Sequence, residues 1–191
     1  MKKLLLFMLV PATIFVSCGE QKPADAPKAA PKVVKPESAK LSEGQLKAVV
    51  AFVDGYYTLK DAMVATDEKK AKDAATAVSV RFKEMETSLI ADSSKVPLVK
   101  ANLDTIALKL TAITTITDPS CEQQRTAFVT LSDATFAMLK TLELKNAGIY
   151  RQYCPMAFNE KGGYWLSKDE EIKNPYLPKK MLNCGEIKDS L

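Results

Sequence analysis

The stretch Ala71-Lys72-Asp73-Ala74-Ala75-Thr76-Ala77-Val78-Ser79-Val80-Arg81-Phe82-Lys83-Glu84-Met85-Glu86-Thr87-Ser88-Leu89 carries apolar residues at 71, 75, 78, 82, 85 and 89. The gaps alternate between four and three, which on a helix of 3.6 residues per turn stacks all six on one face. The same rhythm recurs on both sides. Leu46, Val49, Val53, Tyr56 and Met63 form a stripe before it, Val99, Leu103, Ile106, Leu110 and Ile113 one after it, and Cys121, Phe128, Leu131, Met138 and Leu142 a fourth. From Tyr56 to Ala147 there is no glycine, and the only prolines are Pro97 and Pro119. Good helix formers (Ala, Leu, Lys, Glu) fill the span.

The ends of these stripes also have chemistry. Asp67 can cap a second helix, Ser93 or Ser94 followed by Pro97 suits the start of a third, and Asp118-Pro119 the start of a fourth. Gly148 offers that helix a stop. Helices of about 22–27 residues, roughly 35–40 Å long, are expected. Short connections force antiparallel neighbours, so the expected fold class is all-α: an up-down-up-down four-helix bundle over residues 41–147. Residues 148–191 would pack on it as loops or a short hairpin. Met63, Met85, Met138 and Cys121 fall on the apolar stripes and read as packing residues. Tyr56-Tyr57 would straddle the core's edge, and Asp67-Glu68-Lys69-Lys70 is a solvated helix start.

The amino end has another character. Lys2 and Lys3 precede an apolar run from Leu4 to Val16, then Ser17, Cys18 and Gly19. A basic head, a short apolar core and a small residue at the cut make a secretory signal over residues 1–17. The run is shorter than the roughly 20 residues a membrane-spanning helix needs. Phe15-Val16-Ser17-Cys18 resembles a lipoprotein box, which implies that Cys18 is acylated and becomes the first residue. Each buried methylene of acyl chain adds about 0.8 kcal/mol of membrane affinity, so several chains anchor stably. Gly19, in place of Asp, points by analogy to the outer membrane with the domain in the periplasm. From Cys18 to Lys40 the composition turns to Lys, Ala and Pro, with Pro23, Pro27, Pro31 and Pro36 at regular intervals. That reads as a semi-rigid tether.

Composition prunes the functions. The chain contains no histidine, which excludes Ser-His-Asp and Cys-His catalysis, His-containing zinc sites and c-type haem attachment. The formal charge of +4 includes two lysines of the signal, leaving too small a balance to argue for nucleic acid. Asp169-Glu170-Glu171 is a solvated charge run rather than an acid/base pair, and Gly162-Gly163 is a turn rather than a phosphate loop. No enzyme is expected; a nucleophilic Cys154 would have no imidazole as its base.

The chemistry concentrates from Gly148 onward, where four of the seven glycines and the only tryptophan lie. Cys154-x-Met156 and Met181-x-x-Cys184 place two thiols and two thioethers at spacings that let each pair reach one ion. Soft sulfur ligands select Cu(I), Ag(I) and similar ions over hard cations. Asn174-Pro175 and Gly185 would set the turns that bring the pairs together, and Trp165 could wall off water. No cofactor is demanded beyond such an ion. The alternative is a Cys154–Cys184 disulfide, favoured by an oxidising compartment. It would close a loop of about thirty residues and contribute roughly 3–4 kcal/mol in the chain-entropy picture. Met156 and Met181 would then pack around the staple. Both readings stand at this point.

Tyr150-x-x-Tyr153-Cys154-Pro155-Met156-Ala157, then Trp165-Leu166-Ser167, Glu171-Ile172-x-Asn174-Pro175-Tyr176 and Met181-Leu182-x-Cys184-Gly185 together resemble one family, domain of unknown function 3347. The resemblance is specific over about 150–185. It implies the company of small bacterial lipoproteins and of periplasmic adaptors of heavy-metal efflux pumps, hence efflux components as partners. Relatives often carry histidine where this chain has Tyr153. The expectation is therefore a lipid-anchored accessory that binds soft metal ions, with a non-catalytic envelope interaction module as the alternative.

Overall fold

The computed structural model describes residues 35–191. The expected signal peptide, Cys18 and most of the tether lie outside the described residues. Among the described residues there are four long helices, α1 (Glu43–Ala65), α2 (Glu68–Ile90), α3 (Val96–Thr115) and α4 (Glu122–Thr141). They are followed by strand β1 (Tyr150–Cys154), a short turn α5 (Ala157–Glu160), and strands β2 (Gly163–Ser167) and β3 (Glu186–Ser190). The molecule is helix-rich but not all-α: the segment after α4 builds a three-stranded antiparallel sheet, ordered β2-β1-β3.

Each long helix packs on its predecessor in sequence, and each buries its stripe. Ala71, Ala75, Val78, Phe82, Met85 and Leu89 of α2 are all buried, as are Val99, Leu103, Ile106, Leu110 and Ile113 of α3. Of the first stripe only Leu46 is left half-buried. Fully burying one such side chain contributes about 1.5–3 kcal/mol. α1 begins with a capping box, in which Ser42 Oγ accepts from Gln45 N and Gln45 Oε1 accepts from Ser42 N. It ends at Thr66, in the left-handed region, and Asp67 at once caps α2 by accepting from Lys70 N at 2.9 Å. At Gly55 the two helices approach so closely that a Cβ would stand 3.1 Å from Val78 Cγ2 and 3.2 Å from Arg81 Cδ.

Three expected helix boundaries differ. α3 has no side-chain cap: the Ser94 N–H and hydroxyl both go to Asp92 Oδ1, and Pro97 in the first turn supplies the start alone. α4 begins at Glu122, and Cys121 stands before it at φ 59°, buried. Asp118 still serves this end, accepting from Gln123 N at 2.9 Å, a bond that holds its carboxyl below the usual range. α4 stops at Thr141 rather than at Gly148, because Glu143 and Asn146 each take the left-handed conformation and turn the chain earlier. That turn also receives the end of the expected tether: Glu37 and Lys145 exchange backbone hydrogen bonds, and Ser38 Oγ donates to Leu142 O.

The sheet lies on α4 through β2. β1 is its central strand, with Cys154 opposite Gly163, Gln152 opposite Trp165 and Tyr153 opposite Glu186. Aromatic rings fill the space between sheet and helices. Phe128 stacks on Tyr56 at 5.1 Å, and Tyr176 contacts Phe128, Trp165 and Phe158 at 6.2, 5.8 and 5.0 Å.

Candidate functional site

Cys154 is the last residue of β1 and points with Gln152 to the buried side of the strand, at 0 % exposure. Cys184 arrives from thirty residues further on, in the turn that precedes β3, where its N–H donates to Met181 O at 3.1 Å. The two Sγ atoms are 2.8 Å apart. Among the described residues all three cysteines, Cys121, Cys154 and Cys184, are free thiols.

Two residues aim that turn. Asn174 is wholly buried and uses its backbone N–H and both ends of its side-chain amide. Its backbone N–H donates to Leu182 O (2.8 Å), its Nδ2 to Cys184 O (3.1 Å), and its Oδ1 accepts from Tyr176 N and Leu177 N (2.9 and 3.3 Å). Gly185 then passes flat against β1: a Cβ there would lie 3.0 Å from Tyr153 O and 2.9 Å from the Trp165 ring, at a φ of 152°. Only a residue without a side chain lets the strand come close enough for the sulfurs to meet.

The electrostatics follow from the meeting. The neighbouring Cys154 thiol, and then desolvation, push the Cys184 pKa up; the Met156 backbone N–H opposes them. Burial pushes the Cys121 thiol up as well. Cys121 has the surroundings of a core residue, buried at 0 %.

The methionines divide into two groups. Met63, Met85 and Met138 are at 0 % exposure in the core, whereas Met156 and Met181 are 40 % and 41 % exposed. Met156 is two residues past Cys154, and Met181 accepts the hydrogen bond of Cys184 N–H. Met156 and Met181 are thus near the thiol pair along the chain and partly exposed, unlike the three core methionines. Met156 also lines a cleft of about 320 Å³ with Phe158, Tyr176 and Lys180. Among the described residues no three His, Cys, Asp or Glu side chains converge as a metal cluster. Trp165 is fully buried and touches the turn at Gly185.

Several supports of this site are not legible in the sequence pattern. Gln152 is buried and its Nε2 points at three carbonyls, those of Asp169, Glu170 and Glu171, at 2.9, 3.3 and 3.4 Å. The exposed charge run therefore matters through its backbone. Arg125 is buried without a carboxylate: it donates to Pro175 O (2.6 Å), Met63 O (2.8 Å) and Ser120 O, tying α1, α4 and the Asn174-Pro175 turn together. The Tyr56 hydroxyl shares a 2.6 Å hydrogen bond with Ser132 Oγ and accepts from Leu166 N at 3.1 Å, so a tyrosine of α1 holds β2. Phe158, Asn159 and Glu160 are three successive residues in the left-handed region, directly after the Cys-Pro-Met stretch.

Fold and site define a class: a helical domain whose appended sheet presents a close thiol pair, one sulfur shielded and the other near the surface. The chain belongs to the family described as Protein of unknown function (DUF3347), which matches residues 52–147, the helical part. No curated protein and no solved structure matches it.

Proposed function

We propose that this chain is an exported lipoprotein, anchored through Cys18, whose carboxyl sheet binds a soft monovalent metal ion such as Cu(I) or Ag(I) as cargo for metal efflux or homeostasis. The observation that carries the reading is the approach of the Cys154 and Cys184 sulfurs to 2.8 Å, with the partly exposed Met156 and Met181 two and three residues away along the chain. Thiolate and thioether are the donors that favour such ions over Ca²⁺ or Mg²⁺. Two sulfurs at about 2.3 Å from one ion stand roughly 3.8–4.6 Å apart, from tetrahedral to linear. Loading therefore requires the pair to open by about 1–2 Å.

In this reading the protein is not an enzyme, binds no nucleic acid, and hands its ion to heavy-metal efflux components in the periplasm. We read the four helices as an up-down-up-down bundle that carries the site. No described helix is long and apolar enough to cross a membrane, so the bilayer contact is assigned to the lipid.

The test is metal uptake by the reduced, purified chain. About one Ag(I) or Cu(I) per chain is expected to survive desalting, and Cys154→Ser is expected to abolish it. Equal uptake by the variant would refute the site. A second reading rests on the same observation: a disulfide between Cys154 and Cys184 needs the same close approach, and would make the domain a stapled interaction module. It predicts oxidised cysteines in the protein isolated from the envelope and no metal affinity after reduction.

A further inference from the structure

The two sulfurs of the pair are close together but unequally placed. Cys154 is fully buried at the end of the central strand, opposite Gly163. Cys184 is only half-buried, and the residues before it, Met181, Leu182 and Asn183, are exposed. An incoming reagent can meet one sulfur and not the other. The turn that carries the reachable sulfur is fixed at both ends, by Asn174 and by the Gly185 contact with β1. Its partner sulfur thus stays at hand whatever happens at Cys184.

We propose that the pair is a thiol–disulfide exchange site of fixed polarity, in which Cys184 reacts with an outside disulfide or dithiol and Cys154 is the internal resolving sulfur. The reactant class is an accessible disulfide, small or protein-borne. In the oxidising direction the Cys184 thiol first gives its proton to solvent, and the thiolate attacks one sulfur of the outside disulfide. A Cys184–S bond forms, the outside S–S bond breaks, and one thiolate leaves and takes up a proton. Cys154 then gives its proton to solvent and attacks the Cys184 sulfur. The Cys154–Cys184 bond forms, and the second outside thiolate is released and protonated. Two electrons pass from the pair to the outside disulfide. In the reducing direction one thiolate of an outside dithiol attacks Cys184, and Cys154 leaves and is protonated. The second outside thiolate then attacks the outside sulfur bonded to Cys184. The Cys184–S bond breaks, Cys184 is protonated and the dithiol departs as a disulfide. Exchange of this kind depends on which sulfur is accessible. The regulatory consequence, that an oxidised pair takes no soft ion until a dithiol opens it, rests on the metal reading above. The exchange itself does not.

The experiment uses the reduced, purified chain and oxidised glutathione, with acid quenching over time, alkylation of remaining thiols and peptide mass spectrometry. Glutathione is expected first on Cys184, followed by loss of the adduct as Cys154–Cys184 forms, while buried Cys121 stays alkylatable throughout. Cys154→Ala is expected to trap a stable adduct on Cys184. Cys184→Ala is expected to react at Cys154 more slowly by at least about tenfold, a difference that unfolding in urea removes. Glutathione found on Cys154 of the unsubstituted chain, equal rates in the two variants, or no adduct and no internal disulfide would each overturn the proposal. The adduct map of the unsubstituted chain stands even if a variant fails to fold. Metal uptake is measured separately on reduced protein, so either conclusion can fall while the other stands.

Discussion

The four helices and the carboxyl sheet are held together by different means. The helices repeat one device, an apolar stripe buried on a neighbouring stripe, with good helix formers elsewhere. Any one position shares its load with many others. The sheet has short strands and relies on single atoms that have no substitute: the Asn174 amide, the missing Cβ of Gly185, the Gln152 amide on three carbonyls and the Arg125 guanidinium on Pro175 O. The helical region should therefore tolerate volume-conserving change, and the sheet should fail locally and abruptly. The difference also separates roles, because the two exposed methionines and the thiol pair lie in the second region alone.

The strongest blow to that contrast would fall where the regions meet. Phe128 is fully buried and stacks on Tyr56 while touching Tyr176. Phe128→Ala should cost about 3–5 kcal/mol in denaturant unfolding, with helices and sheet lost in one transition. Next comes Asn174→Ala, which strands the Tyr176 and Leu177 N–H groups and Cys184 O. It should cost about 1–3 kcal/mol, and hydrogen exchange should show the loss confined to residues after 170. If α2 and α3 loosen equally, the two regions are not separable.

Alkali offers a milder probe of the same junction. Burial raises the pKa values of Tyr56 and Tyr176 above the ordinary tyrosine value. The unfolded chain releases these protons first, near pH 10. The stability that depends on the neutral hydroxyls is present below that pH and is lost as pH climbs towards the folded values. Melting temperature should be flat below about pH 9 and fall above 10, less steeply in Tyr56→Phe. The smallest effects belong to the helices. Asp67→Ala should cost about 1 kcal/mol through the lost cap, and Met85→Leu less than about 1.5 kcal/mol. A large loss from Met85→Leu would mean that the helical core is as exacting as the sheet.

The same contrast explains what could be read from the sequence. A stripe is a property of spacing, so the buried faces of α2 and α3 follow from counting threes and fours. The short hairpin expected after Gly148 is found as β1 and β2. The third strand and the burial of the sheet are not legible, because the central strand, Tyr150 to Cys154, buries Gln152 where an alternating pattern would place an apolar residue. Its polar burial depends on carbonyls of residues 169–171, which only the folded chain supplies. The end of α4 was misplaced for a related reason: Glu143 and Asn146 turn the chain without glycine. Of the candidate site, the four sulfur residues were legible by type and spacing. Asn174-Pro175 and Gly185 were legible as turn residues, but the hydrogen bonds that make the buried Asn174 amide a strut were not, since they reach across the turn it forms. Nor was the burial difference between the two thiols.

X-ray absorption at the copper edge of the reduced, Cu(I)-loaded chain addresses the central claim most directly. The account predicts a first shell of sulfur alone, at about 2.3 Å, that disappears with Cys154→Ser. A shell dominated by oxygen or nitrogen, or copper that washes out of the unsubstituted protein, would contradict it.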